Sequence, residues 1–295
     1  MNALARAAGW FEHPMFAGIR DSRELFFDSG VDSLDRAAET VDIRFAAQTP
    51  ALLADGLHYE ARIATSGVVA TRPGVHDRFN ALVWLRHTAI KRAMNARQVA
   101  DIARVGAKQR TRGQCALTHF DEAGAIVWID GDDLVDAWNA HDWRALFATH
   151  HAAWGSRIAL TVIGHALYEY AVEHGELPVA KALAVRAEPR EIERRSEGAL
   201  VARWPDAERC MADAIATDRL LRDPQELRPL PLAGIPGWHA RSGSPGFFAT
   251  TPCFRPVRPG RRYPEPVHPG IDARRNDFES RSCVAADRRA ARPER

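Results

Sequence analysis

Residues 77–104, DRFNALVWLRHTAIKRAMNARQVADIAR, decide the fold class. Phe79, Leu82, Val83, Ala89, Ile90, Ala93 and Met94 recur at the three- and four-residue spacing of one helical face. That periodicity predicts a single long amphipathic helix over 77–104. A turn of about 100° per residue sets His76, Asn80, Trp84, His87, Lys91 and Asn95 on the opposite side. A tryptophan is poorly placed in open water, so this polar file is expected to line a groove or an interface.

Outward from that segment the pattern stays helical. Residues 157–174, RIALTVIGHALYEYAVEH, predict a second helix closed by Gly175 as a left-handed cap. A third is expected over 205–222, stopping short of Pro224, with shorter helices over 32–45 and 132–147. Strand signals are fewer. CALTHF (115–120) and AIVWI (125–129) flank DEAG, whose Gly124 can take positive φ, and together they read as a β-hairpin. Residues 59–63 and 68–71 read as short extended pieces joined at Ser66 and Gly67. The expected class is mainly α (α+β), with a helical body over 1–229 and a hairpin near 115–129.

Beyond it, PLPLAGIPGWHARSGSPGFF (229–248) and PCFRPVRPGRRYPEPVHPG (252–270) are crowded with proline, which blocks helix and central strand alike. Leu230, Leu232, Ile235, Trp238, Phe247, Phe248 and Phe254 are too many apolar groups for a free linker. Residues 230–272 are therefore expected to form a strap packed on the body. Residues 255–295 hold 11 arginines and 6 acids, leaving the other 254 residues at net −3. Apolar content falls away after 272, and 273–295 are expected to be a basic disordered tail.

The chain has 295 residues, 46% hydrophobic and 26% charged, the make-up of an ordinary folded protein. Its net charge of +2 excludes a generic nucleic-acid or anionic-membrane binder. Cys115, Cys210, Cys253 and Cys283 form no C-x-x-C pair, so neither a zinc knuckle nor a redox dithiol is signalled. The N-terminal residues lack the apolar run of a secretory signal, and no stretch of about 18 apolar residues suggests a membrane span. A cytoplasmic protein without membrane or nucleic-acid partners is expected.

Three blocks stand out: YEARI, GVVATR and HDRFNALVWL with KRAMN; LTHFDEAGAIV with HDWRALF and IGHALYEY; PLPLAGIPGW with CFRP. In this order, between about Trp10 and Pro259, they resemble a bacterial family known as domain of unknown function 3025. The resemblance implies no activity, fold or cofactor. It departs from the family pattern at Arg86, His87 and Thr88, where an aromatic-proline step is usual, and at 247–250, where an aromatic-Tyr-acidic pair is usual.

Chemistry is most concentrated on the second helix. His165 and Glu169 share one face, among residues apolar nearly all round, and an ionised carboxylate buried there must be paired, hydrogen-bonded, protonated or metal-bound. An H-x-x-x-E spacing can hold one cation from consecutive turns, or the two side chains can simply bond each other. Gly164 just before them allows close approach of another backbone or a ligand. Asp121 and Glu122, with His119 nearby, are turn formers or a cation-binding pair. Glu60, Arg72, His76 and Asp77 make a further polar group, with Asp77 a natural helix N-cap. No phosphate-loop, dinucleotide, serine-hydrolase or H-E-x-x-H motif occurs.

Besides contact of the Arg-rich tail with nucleic acid, which matches no recognised binding motif and stands lowest, two readings follow. In one, His76, Asp121, His165 and Glu169 converge on a polar pocket of an enzyme, with His165, Glu169 and Asp121 around a divalent metal that supports hydrolysis. In the other, Arg72, Asn80, Trp84 and Lys91 line a non-enzymatic groove for a small anionic ligand or a protein partner. A small-molecule ligand is expected in the first and admitted in the second.

Overall fold

The computed structural model describes residues 3–28, 30–187, 192–194, 200–202, 207–244 and 246–268. The expected tail over 273–295 lies outside them. The chain opens with α1 (Ala3–Trp10), α2 (Arg23–Phe27) and α3 (Val31–Ala37). Strand β1 (Arg44–Ala47) and α4 (Pro50–Leu53) lead into α5 (Tyr59–Ser66), which Gly67 ends at φ 68° before β2 (Val68–Thr71). Next come α6 (Val75–Arg86), α7 (Thr88–Val105) and α8 (Arg112–Ala123), then β3 (Gly124–Ile129) and α9 (Asp132–Asn139). Strand β4 (Ile158–Val162), α10 (His165–His174) and β5 (Val179–Arg186) follow. Strands β6 (Ile192–Arg194) and β7 (Leu200–Ala202), α11 (Ala207–Ala216), β8 (Arg228–Pro231) and α12 (Phe247–Thr250) complete the order. With about 52% helix and 14% strand, the fold is mainly α, of the α+β kind.

A four-stranded mixed sheet, β4-β3-β5-β8, divides the core. Side chains alternate along its strands. Ala125, Val127 and Ile129 of β3, with Ile158 and Leu160 of β4, join α1, α6, α9 and α10 on one face. Ile126 and Trp128, with Leu183 and Val185 of β5, meet α7, α8 and α11 on the other. Both faces are covered, so β3 is buried at every residue and shows no polar alternation. A smaller core joins α3, α5 and the parallel β1–β2 pair to Trp84.

Several expected elements change identity. CALTHF is not a strand: Ala116, Leu117 and Phe120 form the buried face of α8, opened by a Thr111/Gln114 capping box. AIVWI is a strand, but its partners are β4 and β5, far along the chain, so the local hairpin does not exist. Residues 157–174 split into β4, Gly164 and α10, because a mostly apolar run such as 158–163 suits a buried strand as well as a buried helix. Tyr170 on α10 is exposed, so that helix is not apolar all round. Residues 59–63 are helical, in α5, rather than extended. Residues 32–45 divide into α3 and the start of β1, and 132–147 into α9 and a separate turn at Ala145–Thr149. Of the third expected helix, residues 205 and 206 lie outside the described residues, Ala207–Ala216 is helical and 217–222 is not.

The long helix breaks at His87 (φ −127°, ψ 43°) into α6 and α7. Thr88 Oγ1 donates to Trp84 O, and the buried His87 ring turns to Glu208 of α11, 3.4 Å away. The break takes His87 out of the polar file. Gly74, not Asp77, holds the N-cap position of α6, at φ 150°.

The proline-rich segment packs closely. Leu230, Leu232, Ile235, Phe247 and Phe254 are buried, with Trp238 and Phe248 partly so. Arg228, 1% exposed, lies against the Trp138 and Tyr263 rings and donates to Asn139 Oδ1 and Pro264 O. Val267 closes the run by exchanging backbone hydrogen bonds with Ala184 and Arg186 of β5.

Candidate metal centre

Strand register assembles the site. β3 and β4 are antiparallel with Ala125 opposite Val162. The chain entering β3 and the chain leaving β4 therefore lie at one end of the sheet. The first is the last turn of α8, carrying Asp121 and Glu122, and the second is the start of α10, with His165 in its first turn and Glu169 one turn further on. Gly164 permits the contact. Ile163 and Gly164 N–H groups both donate to Gly124 O, at 3.0 and 2.8 Å, and a Cβ at 164 would stand 2.4 Å from Gly124 N. Helix α6 packs along α10 and brings His76 to the same point.

Three donor atoms meet there. His165 Nε2 lies 3.2 Å from His76 Nε2 and 3.4 Å from Glu122 Oε2. The His76, Glu122 and His165 donors all fall within 4.8 Å of one another. The two rings meet edge to face, with centroids 4.6 Å apart. Behind them stand two carboxylates. His76 Nδ1–H donates to Glu169 Oε2 at 2.6 Å, since an ionised carboxylate can only accept, and this leaves the Nε2 lone pair facing inward. His165 Nδ1 is buried, makes no hydrogen bond and lies 3.9 Å from Asp121 Oδ2.

Lys91, 4% exposed, donates to Asp121 Oδ1 and to Asn80 Oδ1 (3.0 Å), and stands 5.1 Å from the centre of the Trp84 ring. Burial drives the His165 imidazole down to about 4, against the pull of Asp121, so it is neutral at physiological pH. Burial alone would raise Asp121, but Lys91, followed by His165 and His76, outweighs it and holds the carboxyl below its ordinary range. Burial, then the neighbouring Asp121 charge, pushes Glu122 up. His76 and Lys91 pull the other way without cancelling that rise.

The donors open on a cavity of about 320 Å³. Of the expected residues, it gathers Arg72, His76, Asn80, Trp84, Lys91, Asp121 and His165. Glu169 reaches it only through His76. Arg72 is at the rim, held by Asp77 through two guanidinium contacts of 3.2 and 3.0 Å, while Asp77 also accepts the Arg72 backbone N–H. His87 and His119 do not line it. Glu122 and Tyr59 do. Glu122 was legible in the sequence as half of a turn or cation-binding pair with Asp121, and Tyr59 only as the first residue of the YEARI block.

The buried neutral imidazole has a consequence for metal-free protein. Its folded pKa lies below the unfolded value near 6.5, so the unfolded chain takes up the extra proton between those values. His165 therefore contributes stability fully above pH 6.5, and that contribution falls by about 1.4 kcal/mol per pH unit on acidification toward 4. Between pH 6.5 and 5, urea unfolding of chelator-treated protein is expected to lose about 2 kcal/mol more in wild type than in His165→Asn. Equal losses in the two proteins would mean that His165 is not buried in neutral form.

A family model described as a protein of unknown function, DUF3025, matches residues 43–258. The match covers every residue that contributes to the centre. No curated protein and no solved structure matches the chain. Among the described residues, no helix is long and apolar enough to cross a membrane.

Proposed function

Because the chain belongs to the DUF3025 family, whose description names no activity, we propose from its side chains that it is a divalent-metal-dependent hydrolase. His76, His165 and Glu122 hold the cation, and Glu169 and Asp121 sit behind the two imidazoles. The carrying observation is the spacing of the donors, 3.2 and 3.4 Å. Nitrogen and oxygen ligands about 2.0–2.1 Å from a tetrahedral zinc ion stand about 3.3 Å apart. Carboxylates on the far ring nitrogens are the usual support of metal-bound histidines.

This ligand set differs from His165, Glu169 and Asp121. Glu169 is engaged by His76 and Asp121 by Lys91. Three protein ligands leave a coordination position open toward the cavity, where a cation would lower the pKa of a water toward neutrality. The alternative, a groove for an anion, is disfavoured because Arg72 and Lys91 are already paired with Asp77 and Asp121.

The test is metal analysis of purified protein after dialysis against zinc and then against zinc-free buffer. One zinc per chain is expected. Glu169→Gln keeps the shape and leaves the ligands in place, so it is expected to weaken zinc binding by about 10- to 100-fold without abolishing it. Wild-type protein that retains no divalent cation would overturn the reading.

A further inference from the structure

We infer that Tyr59 is the oxyanion donor of this centre and that its substrate is an uncharged acyl compound, an ester or an amide. The inference rests on the metal-dependent hydrolase reading. It starts from Lys91, whose ammonium has donors only. Asn80 must therefore turn its Oδ1 to Lys91 (3.0 Å), which directs its Nδ2 to Tyr59 Oη at 3.2 Å. The amide orientation, normally ambiguous, is set by the cation.

Tyr59 Oη thus accepts from Asn80, and its own hydrogen must go elsewhere. The Trp84 indole N–H, buried, also faces the hydroxyl without closing a good hydrogen bond, and it too is a donor. The open direction is the cavity, which Tyr59 lines together with His76, Glu122 and His165. Asn80 is one turn beyond His76 on the same face of α6, so the hydroxyl is held close to the metal ligands. Burial pushes the phenol up, and Tyr59 remains a donor across the physiological range.

Charge selects the substrate class. A phosphoryl group carries its charge on several oxygens and calls for cations around it. Here Lys91 is paired with Asp121 and Arg72 with Asp77, while Arg110 is an exposed rim residue. One neutral donor opposite a cation suits the single oxygen of a carbonyl. In the step, the water oxygen adds to the carbonyl carbon and the C=O electron pair moves onto its oxygen, which receives the Tyr59 hydrogen bond. Collapse restores the carbonyl and breaks the bond to the alcohol oxygen or amine nitrogen, which leaves with the proton given up by the water.

The experiment is calorimetric titration of zinc-loaded, full-length protein with acetohydroxamic acid, whose oxygens engage a zinc ion and place a partly negative oxygen beside it. Tyr59→Phe is expected to keep one zinc per chain and to weaken hydroxamate binding by about 10- to 100-fold, the loss of one hydrogen bond to a charged acceptor. Equal affinity of Tyr59→Phe and wild type would overturn the role of Tyr59. Wild type that holds zinc but binds no hydroxamate, or binds inorganic phosphate more tightly, would overturn the substrate class while leaving the metal centre standing. Wild type without zinc would instead remove the hydrolase reading on which the inference rests.

Discussion

Replacing His165 by alanine is expected to lower zinc affinity by about a hundred- to a thousandfold while the chain remains folded. Zinc bound by four protein ligands gains about 10–16 kcal/mol, so one ligand is worth about 2.5–4 kcal/mol. His165 is the central donor, in contact with both His76 and Glu122, and its removal leaves two ligands that no longer enclose a position. Competition with a chromophoric chelator measures the affinity, and circular dichroism of zinc-free protein measures the fold. The comparison with Glu169→Gln separates two ligand sets. If both variants lose the same affinity, Glu169 is itself a ligand and His76 a bystander. Unchanged affinity in His165→Ala would remove the centre altogether.

Gly164→Ala is expected to cost about 4 kcal/mol of stability, at the high end of single-residue effects. Its φ of −69° suits any residue, so the cost is entirely steric. The added Cβ would lie 2.4 Å from Gly124 N and 2.6 Å from both Ala123 C and Ala123 Cα. These are backbone atoms at the junction of α8 and β3, and no rotamer change can move them aside. Relief comes only by parting α10 from α8, which separates His165 from Asp121 and Glu122. Urea unfolding should therefore show the stability loss, and zinc titration a parallel loss of affinity. A variant within 1 kcal/mol of wild type would mean that the two helices are not locked through this contact.

The sequence carried much of the helical content and only part of the site. The face made by Phe79, Leu82, Val83, Ile90 and Met94 is buried as its spacing requires, because helical periodicity is a local property. Gly175 caps α10 at φ 71°, again a local preference. His76, Asn80, Trp84, Lys91 and Asn95 do share a cavity, although two helices rather than one present them. His87 shows why the break was invisible: its ring turns toward Glu208, 3.4 Å away and more than a hundred residues along the chain.

Errors gathered where local pattern is ambiguous. AIVWI is apolar throughout and IALTV is so but for Thr161, and such a run is compatible with a buried helix or a buried strand until its neighbours are known. In CALTHF, β-prone residues happened to fall at helical spacing too. Register could not be read at all, since β3 pairs with β4 and β5 rather than with an adjacent segment.

The division between the two levels is physical. Composition, periodicity and caps determined a mainly α chain, an apolar core large enough for both faces of a sheet, and a set of histidines and carboxylates that cannot be buried without partners. Which carboxylate meets which imidazole depends on the antiparallel register of β3 and β4 and on the backbone contact at Gly164. Those contacts join residues distant in the chain, and no short-range preference encodes them. Tertiary structure therefore decided that Glu122 faces the two Nε2 atoms while Glu169 stands behind His76, and that Lys91 is committed to Asp121 and Asn80 rather than free for an anion.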